Sequence, residues 1–162
     1  YREQGKLEIS ISYYKKVLSL KPNYIQAYNN LGNVYKTIGR IDESIDAFRK
    51  ALIINPNIPE IYNNLGNSLN QKGNKNEAIF MYTKAISIDP TYADAHNNMG
   101  IILQKVKSFN EATLAYKRAI HFNPKFPDAY NNLGNLLAER GELLESIEMF
   151  NIALLILSLI HI

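Results

Sequence analysis

Apolar residues recur along this chain at helical spacing, and the spacing restarts in register at a fixed interval. From Ile25 onward, Ala27, Tyr28, Leu31, Val34 and Tyr35 make one stripe on a helix. Gly39 interrupts it. Ile41, Ile45, Phe48, Ala51 and Leu52 then form a second stripe. Asp42 and Glu43 stand in its first turn and Arg49 and Lys50 further along, the order of charge a helix dipole favours. Pro56 closes the unit. The two stripes, the break and most of the stops return downstream. They predict helices over 6–20, 24–38, 41–54, 58–72, 75–88, 92–106, 109–122, 126–140 and 143–156, with no strands. Each helix is expected to touch mainly its neighbours in sequence.

The interval is 34 residues: glycines fall at 32, 66, 100 and 134, prolines at 22, 56, 90 and 124, and alanines at 51, 85, 119 and 153. A fixed period of this size marks a helical solenoid. The boundaries that follow are the second half of a truncated repeat over 1–24, full repeats over 25–58, 59–92 and 93–126, and a repeat incomplete at its end over 127–156. Gly5 is expected to mark a turn. The run Leu154 to Ile162 is apolar where the pattern demands a polar residue and a proline, so 157–162 is expected to be a non-native tail. Gly32, Gly66, Gly100 and Gly134 fall inside a helix, where glycine costs about 1 kcal/mol against alanine. A recurring cost implies close approach of two helices at those points, with Ala51, Ala85, Ala119 and Ala153 expected on the other side. The third repeat departs twice. Lys107 replaces the breaking glycine, at about 1 kcal/mol, and Ile101 stands where the others have asparagine.

Composition narrows the function more than the fold. The 162 residues are 46% hydrophobic and 20% charged, ordinary for a folded soluble protein. The net charge of +3 is spread along the chain, which gives no basic stripe for nucleic acid. Most of the eleven tyrosines sit at core positions rather than on a stacking platform. The chain has no cysteine, hence no disulfide framework or thiolate chemistry. That fits a reducing compartment, and an intracellular, cytoplasmic location is expected. His96 replaces a core tyrosine, His121 is near a helix end and His161 is in the tail. None has a partner at ligand spacing, so no metal is expected. No nucleophile–base pair or phosphate loop is present, so neither catalysis nor a cofactor is expected from these residues. The apolar end is shorter than the ~20 residues a spanning helix needs, and no membrane role is expected.

These residues resemble the tetratricopeptide repeat. Its pattern of a large residue, Leu-Gly and Tyr on the first helix, then Ala, an aromatic, Ala and Pro, is met by Tyr28, Leu31-Gly32, Tyr35, Ser44, Phe48, Ala51 and Pro56. It returns as Tyr62, Leu65-Gly66, Leu69, Ala78, Tyr82, Ala85 and Pro90, then as His96, Met99-Gly100, Leu103, Ala112, Tyr116, Ala119 and Pro124. The fourth copy is Tyr130, Leu133-Gly134, Leu137, Ser146, Phe150 and Ala153. The resemblance implies an all-α solenoid of antiparallel helix pairs in a right-handed superhelix, with the first helices lining a concave groove for protein or peptide ligands. The run Pro127 to Asn135 is also similar to the repeat arm of protein O-GlcNAc transferases, which makes the substrate-selecting arm of a Ser/Thr glycosyltransferase the alternative function. That likeness implies a ladder of peptide-holding amides at Asn30, Asn64, Asn98 and Asn132. Asn33, Asn67 and Asn135, one turn on, extend the face. The competing reading is that these amides bond the neighbouring repeat or face water. A carboxylate clamp would need lysine at Asn29, Asn63, Asn97 or Asn131. With only Lys36 and Lys105 on the inner helices, it is incomplete.

Overall fold

The computed structural model describes residues 2–160, with side chains from 5 to 159. Among these residues there are nine α-helices and no strand: α1 (Arg2–Leu20), α2 (Ile25–Thr37), α3 (Ile41–Ile54), α4 (Pro59–Lys72), α5 (Lys75–Ile88), α6 (Ala93–Lys105), α7 (Phe109–Phe122), α8 (Pro127–Glu139) and α9 (Leu143–Ile160). Two compact units divide the chain, one over residues 1–88 and the other over 89–162. Within the first, contacts run α1 to α2 to α3 to α4 to α5; within the second, α6 to α7 to α8 to α9. Among the described residues, the contacts that skip an element join α2 to α4 and α6 to α8, the first helices of successive pairs.

Two elements differ from the sequence expectation. Gly5 lies inside α1 and makes no turn. One glycine costs a helix only about 1 kcal/mol, and good helix formers flank it. At the other end α9 runs on to Ile160 rather than stopping near 156. No proline or glycine interrupts Leu154 to Ile160, so nothing in the backbone ends the helix there. His161 and Ile162, in the expected tail, lie outside the described residues.

The mid-helix glycines answer to an aromatic ring. A Cβ on Gly66 would lie 2.6 Å from Cε1 of Tyr82, and one on Gly32 would lie 2.7 Å from Cε1 of Phe48. Tyr116 and Phe150 stand in the same way over Gly100 and Gly134. The partner is thus the aromatic three residues before the recurring alanine. Ala51, Ala85, Ala119 and Ala153 are themselves fully buried.

The turn inside each pair is one motif written four times. After α4, Gly73 N–H donates to Asn70 O (3.0 Å) and Asn74 N–H to Leu69 O (2.9 Å), with Gly73 at φ +96°. This pair of hydrogen bonds satisfies carbonyls of the last turn and needs a left-handed residue. After α6 the same bonds run from Lys107 to Gln104 and from Ser108 to Leu103, and Lys107 is held at φ +65°. Part of that cost is offset by the Lys107 ammonium, 2.6 Å from Oε1 of Glu139 on α8.

Successive pairs join through buried side chains. In the first unit Ser44 of α3 and Ser68 of α4, both fully buried, share a hydrogen bond of 2.8 Å. In the second, the same positions hold Ala112 and Leu136, packed with Tyr116, Leu133 and Leu137. His96 is also buried, stacked on Phe122 with ring centroids 5.5 Å apart. Its Nε2 lies 2.9 Å from the carbonyl of Pro90, while Nδ1 is buried with no partner.

Two predictions follow from this packing. Gly66→Ala should destabilise the first unit by about 1–3 kcal/mol in urea unfolding, despite the better helix propensity of alanine, because the Tyr82 ring is enclosed. Acid should selectively weaken the second unit through His96. Burial, with Arg118 acting the same way, lowers its pKa from the usual 6.5, against the Pro90 carbonyl and Asp89. The folded state therefore favours the neutral ring. Its contribution is fully present above the unfolded value near 6.5 and is lost as pH falls through the folded value. His96→Tyr, the residue of the other three repeats, should flatten the fall in melting temperature between pH 7 and 5. An unchanged pH profile in that variant would rule His96 out.

Candidate functional site

Each inner helix carries two consecutive asparagines, and consecutive helical residues point about 100° apart. The two side chains of a pair therefore meet different surroundings. Asn29, Asn63 and Asn97 are buried at 3–5% exposure; Asn30, Asn64, Asn98 and Asn132 are half-buried.

In the first unit the buried asparagine is a junction. Asn29 Nδ2 donates to Oε1 of Glu60 at 3.0 Å, and its Oδ1 accepts from Nδ2 of Asn64 at 3.1 Å. Both partners are on α4. The second unit repeats the second bond, with Asn132 Nδ2 donating to Oδ1 of Asn97 at 3.0 Å. The ladder amides of Asn64 and Asn132 are thus anchored through their nitrogen to the preceding repeat. No protein donor reaches Oδ1 of either among the described residues, and neither oxygen is sealed from solvent. The reading in which these amides bond the neighbouring repeat therefore holds for the nitrogen of Asn64 and of Asn132.

The remaining candidates divide further. Asn30 accepts from Nε2 of Gln26 at 3.2 Å. Asn98 is engaged as well. Asn67 accepts from the hydroxyl of Tyr82 at 2.8 Å, so it serves the core. In the repeats of its equivalents Asn33 and Asn135, the ring over the glycine is Phe48 or Phe150, which has no hydroxyl. The side chains of Asn33 and Asn135 have no protein partner among the described residues. In the third repeat Ile101 holds this position, and the Tyr116 hydroxyl donates instead to Oε1 of Gln104 at 3.0 Å. Burial raises the pKa of both Tyr82 and Tyr116, which stay protonated as donors.

The sequence reading treated Asn29, Asn63 and Asn97 only as places where lysine is missing. The signal for their role was present: an asparagine kept at a fixed phase, one step from a residue already assigned to the groove. The two cations differ in their relation to the row. Lys36 is half-buried at the end of α2, and burial lowers its pKa. Lys105 is exposed on α6 and lines an open cleft of about 400 Å³ with Ile101, Asn132 and Asn135. Among the described residues, no group of acidic residues and histidines could hold a metal ion, and no helix is long and apolar enough to cross a membrane.

No curated protein matches the chain in sequence. Solved structures match it well. The crystal structure of MamA is 29% identical and superposes with a TM-score of 0.81, covering 97% of this chain and 92% of that one. The crystal structure of PilW, a widely conserved type IV pilus biogenesis factor, is 26% identical with a TM-score of 0.85 over 98% of this chain and 73% of its own. That of YrrB, described as a TPR protein with an unusual peptide-binding site, is 25% identical with a TM-score of 0.70 over 94% of this chain and 78% of that one. A family model described as TPR repeat matches residues 1–39, 66–107 and 107–141, and two described as tetratricopeptide repeat match 25–58 and 47–80. With most of its length matched by these models, the chain belongs to the tetratricopeptide repeat family.

Proposed function

We propose that this chain is a non-catalytic protein-interaction module that holds extended peptide segments against the asparagine faces of its inner helices. The observation that carries this reading is the anchored amide. Asn64 and Asn132 are each fixed through Nδ2, so their Oδ1 atoms are oriented before any ligand arrives. Asn33 and Asn135 add amides with no internal task. A peptide backbone offers the matching donors and acceptors at regular spacing. The peptide-binding site named for YrrB, similar in fold, agrees with this use of the scaffold.

Neutral amides give modest affinity. Each hydrogen bond contributes about 0.5–1.5 kcal/mol net. Four or five, less the cost of ordering the peptide, leave roughly −4 to −6 kcal/mol, or millimolar to tens of micromolar. Little of this depends on charge, so affinity should change little between low and moderate salt.

On this reading, binding and stability respond to different substitutions. Asn33→Ala with Asn135→Ala should weaken an extended Ser/Thr-rich peptide several-fold in a fluorescence titration while leaving the melting temperature in place. Asn64→Ala should instead lower stability by about 1–3 kcal/mol, because the buried oxygen of Asn29 loses its donor. Equal peptide affinity in the wild type and the Asn33/Asn135 variant would remove the amide face as the binding site.

A further inference from the structure

Resting on that groove reading, we propose that the cleft on α6 and α8 selects an extended segment in which an aliphatic side chain and a carboxylate are two residues apart. The observation is what the third repeat does with its departures. Ile101 replaces the groove asparagine, and the polar task of that position has passed to Gln104. Gln104 is engaged at both ends of its amide, since its Nε2 also donates to Oε2 of Glu139 at 3.1 Å. Glu139 in turn is held by Lys107 at 2.6 Å. Hydrogen bonds from Lys107 and Gln104 keep its carboxyl below the usual range, so it stays ionised and neutralises Lys107. That wall of the cleft is satisfied and has no net charge.

What remains open is an apolar flank and one cation. Ile101 is half-buried against the core, and its other flank lines the cleft. Lys105 is exposed and has no carboxylate partner among the described residues. The two stand at i and i+4 on α6, so they share a face about 6 Å apart along the axis. In an extended peptide, side chains on one edge recur every second residue, about 6.6 Å apart. An aliphatic residue over Ile101 thus brings the side chain two positions along to the Lys105 ammonium, where only an acid is complementary. Asn135, on the facing helix with its amide uncommitted, is within the same cleft to bond the backbone between them.

Three short, capped, fluorescently labelled Ser/Thr peptides test this: one with Leu-Ser-Asp at its centre, one with Leu-Ser-Asn and one with Ser-Ser-Asp. They are titrated into the wild type, Ile101→Asn and Lys105→Gln, with helicity checked by circular dichroism. Ile101→Asn restores the residue of the other repeats and Lys105 is exposed, so both variants should fold. The expected result is that the Leu-Ser-Asp peptide binds wild type about five-fold tighter than either of the others. Ile101→Asn should erase the advantage of Leu alone. Lys105→Gln should erase that of Asp alone, and the Asp advantage should shrink with added salt. If all three peptides bind wild type equally, the selective cleft is overturned and the general amide groove stands. If the variants bind but keep both preferences, selection lies elsewhere and this assignment is overturned. If no peptide binds any protein, the groove reading fails and takes this inference with it.

Discussion

One contact sets the geometry of every helix pair: an aromatic ring on the second helix laid against the bare backbone of a glycine on the first. Side-chain atoms of Tyr82 lie within 2.6–3.0 Å of where a Cβ on Gly66 would be, a distance only glycine permits. The approach brings the two backbones close enough that alanines such as Ala78 and Ala85 fill the rest of the seam. It also fixes where the far end of the ring emerges. In Tyr82 and Tyr116 that end is a hydroxyl, and it reaches the inner helix, where an acceptor must be supplied. Asn67 supplies it in one case and Gln104 in the other. The core contact therefore decides which asparagines of that row are already committed. Where the ring is phenylalanine, the amide keeps no bond to it.

The asparagine pair works by a similar division. An amide has a donor end and an acceptor end. Asn64 uses its donor to satisfy a buried oxygen of the preceding repeat and presents its acceptor outward. One side chain thus joins two repeats, and the junction sets the orientation of its other end. The Ser44–Ser68 bond shows that such polar joints are not obligatory, because alanine and leucine replace it in the second unit without leaving a buried polar atom unsatisfied. The Asn29 type of joint is different. Its buried oxygen takes its donor from the neighbouring inner helix, and this ties the orientation of Asn64 to stacking order.

Much of the fold was legible because the repeat averages away local ambiguity. The interior helices fall within a residue or two of the positions read from apolar spacing and glycine breaks, and the positive φ at Lys107 follows from its alignment with Gly39, Gly73 and Gly141. The errors sit where the chain departs from its own repeat: Gly5 stands in register with Gly39, Gly73 and Gly141 yet lies inside α1, and beyond Ile156 no proline follows and α9 continues. The candidate site was legible only in part. Periodicity places Asn30, Asn33 and their equivalents on one face, but it is blind to what each amide already bonds. That Asn67 belongs to Tyr82, or that Asn64 is half committed to Asn29, depends on contacts between different helices that a stripe pattern does not contain.

The departures in the third repeat show how far a repeat can drift. Ile101 and Gln104 form a compensated exchange: the hydroxyl of Tyr116 keeps an acceptor, and the freed position becomes apolar at no evident cost to the core. His96 is compensated by half. The ring fills a tyrosine's place against Phe122 and bonds Pro90, but its second nitrogen is left buried and bare. Lys107 keeps the backbone bonds of the turn while adopting a conformation that lysine disfavours, with Glu139 as partial redress. A full exchange leaves a position free to acquire a new role, whereas a partial one leaves a local weakness. All three lie in or between α6 and its turn, so the inner helix that departs most from the repeat is also the one whose packing carries uncompensated cost.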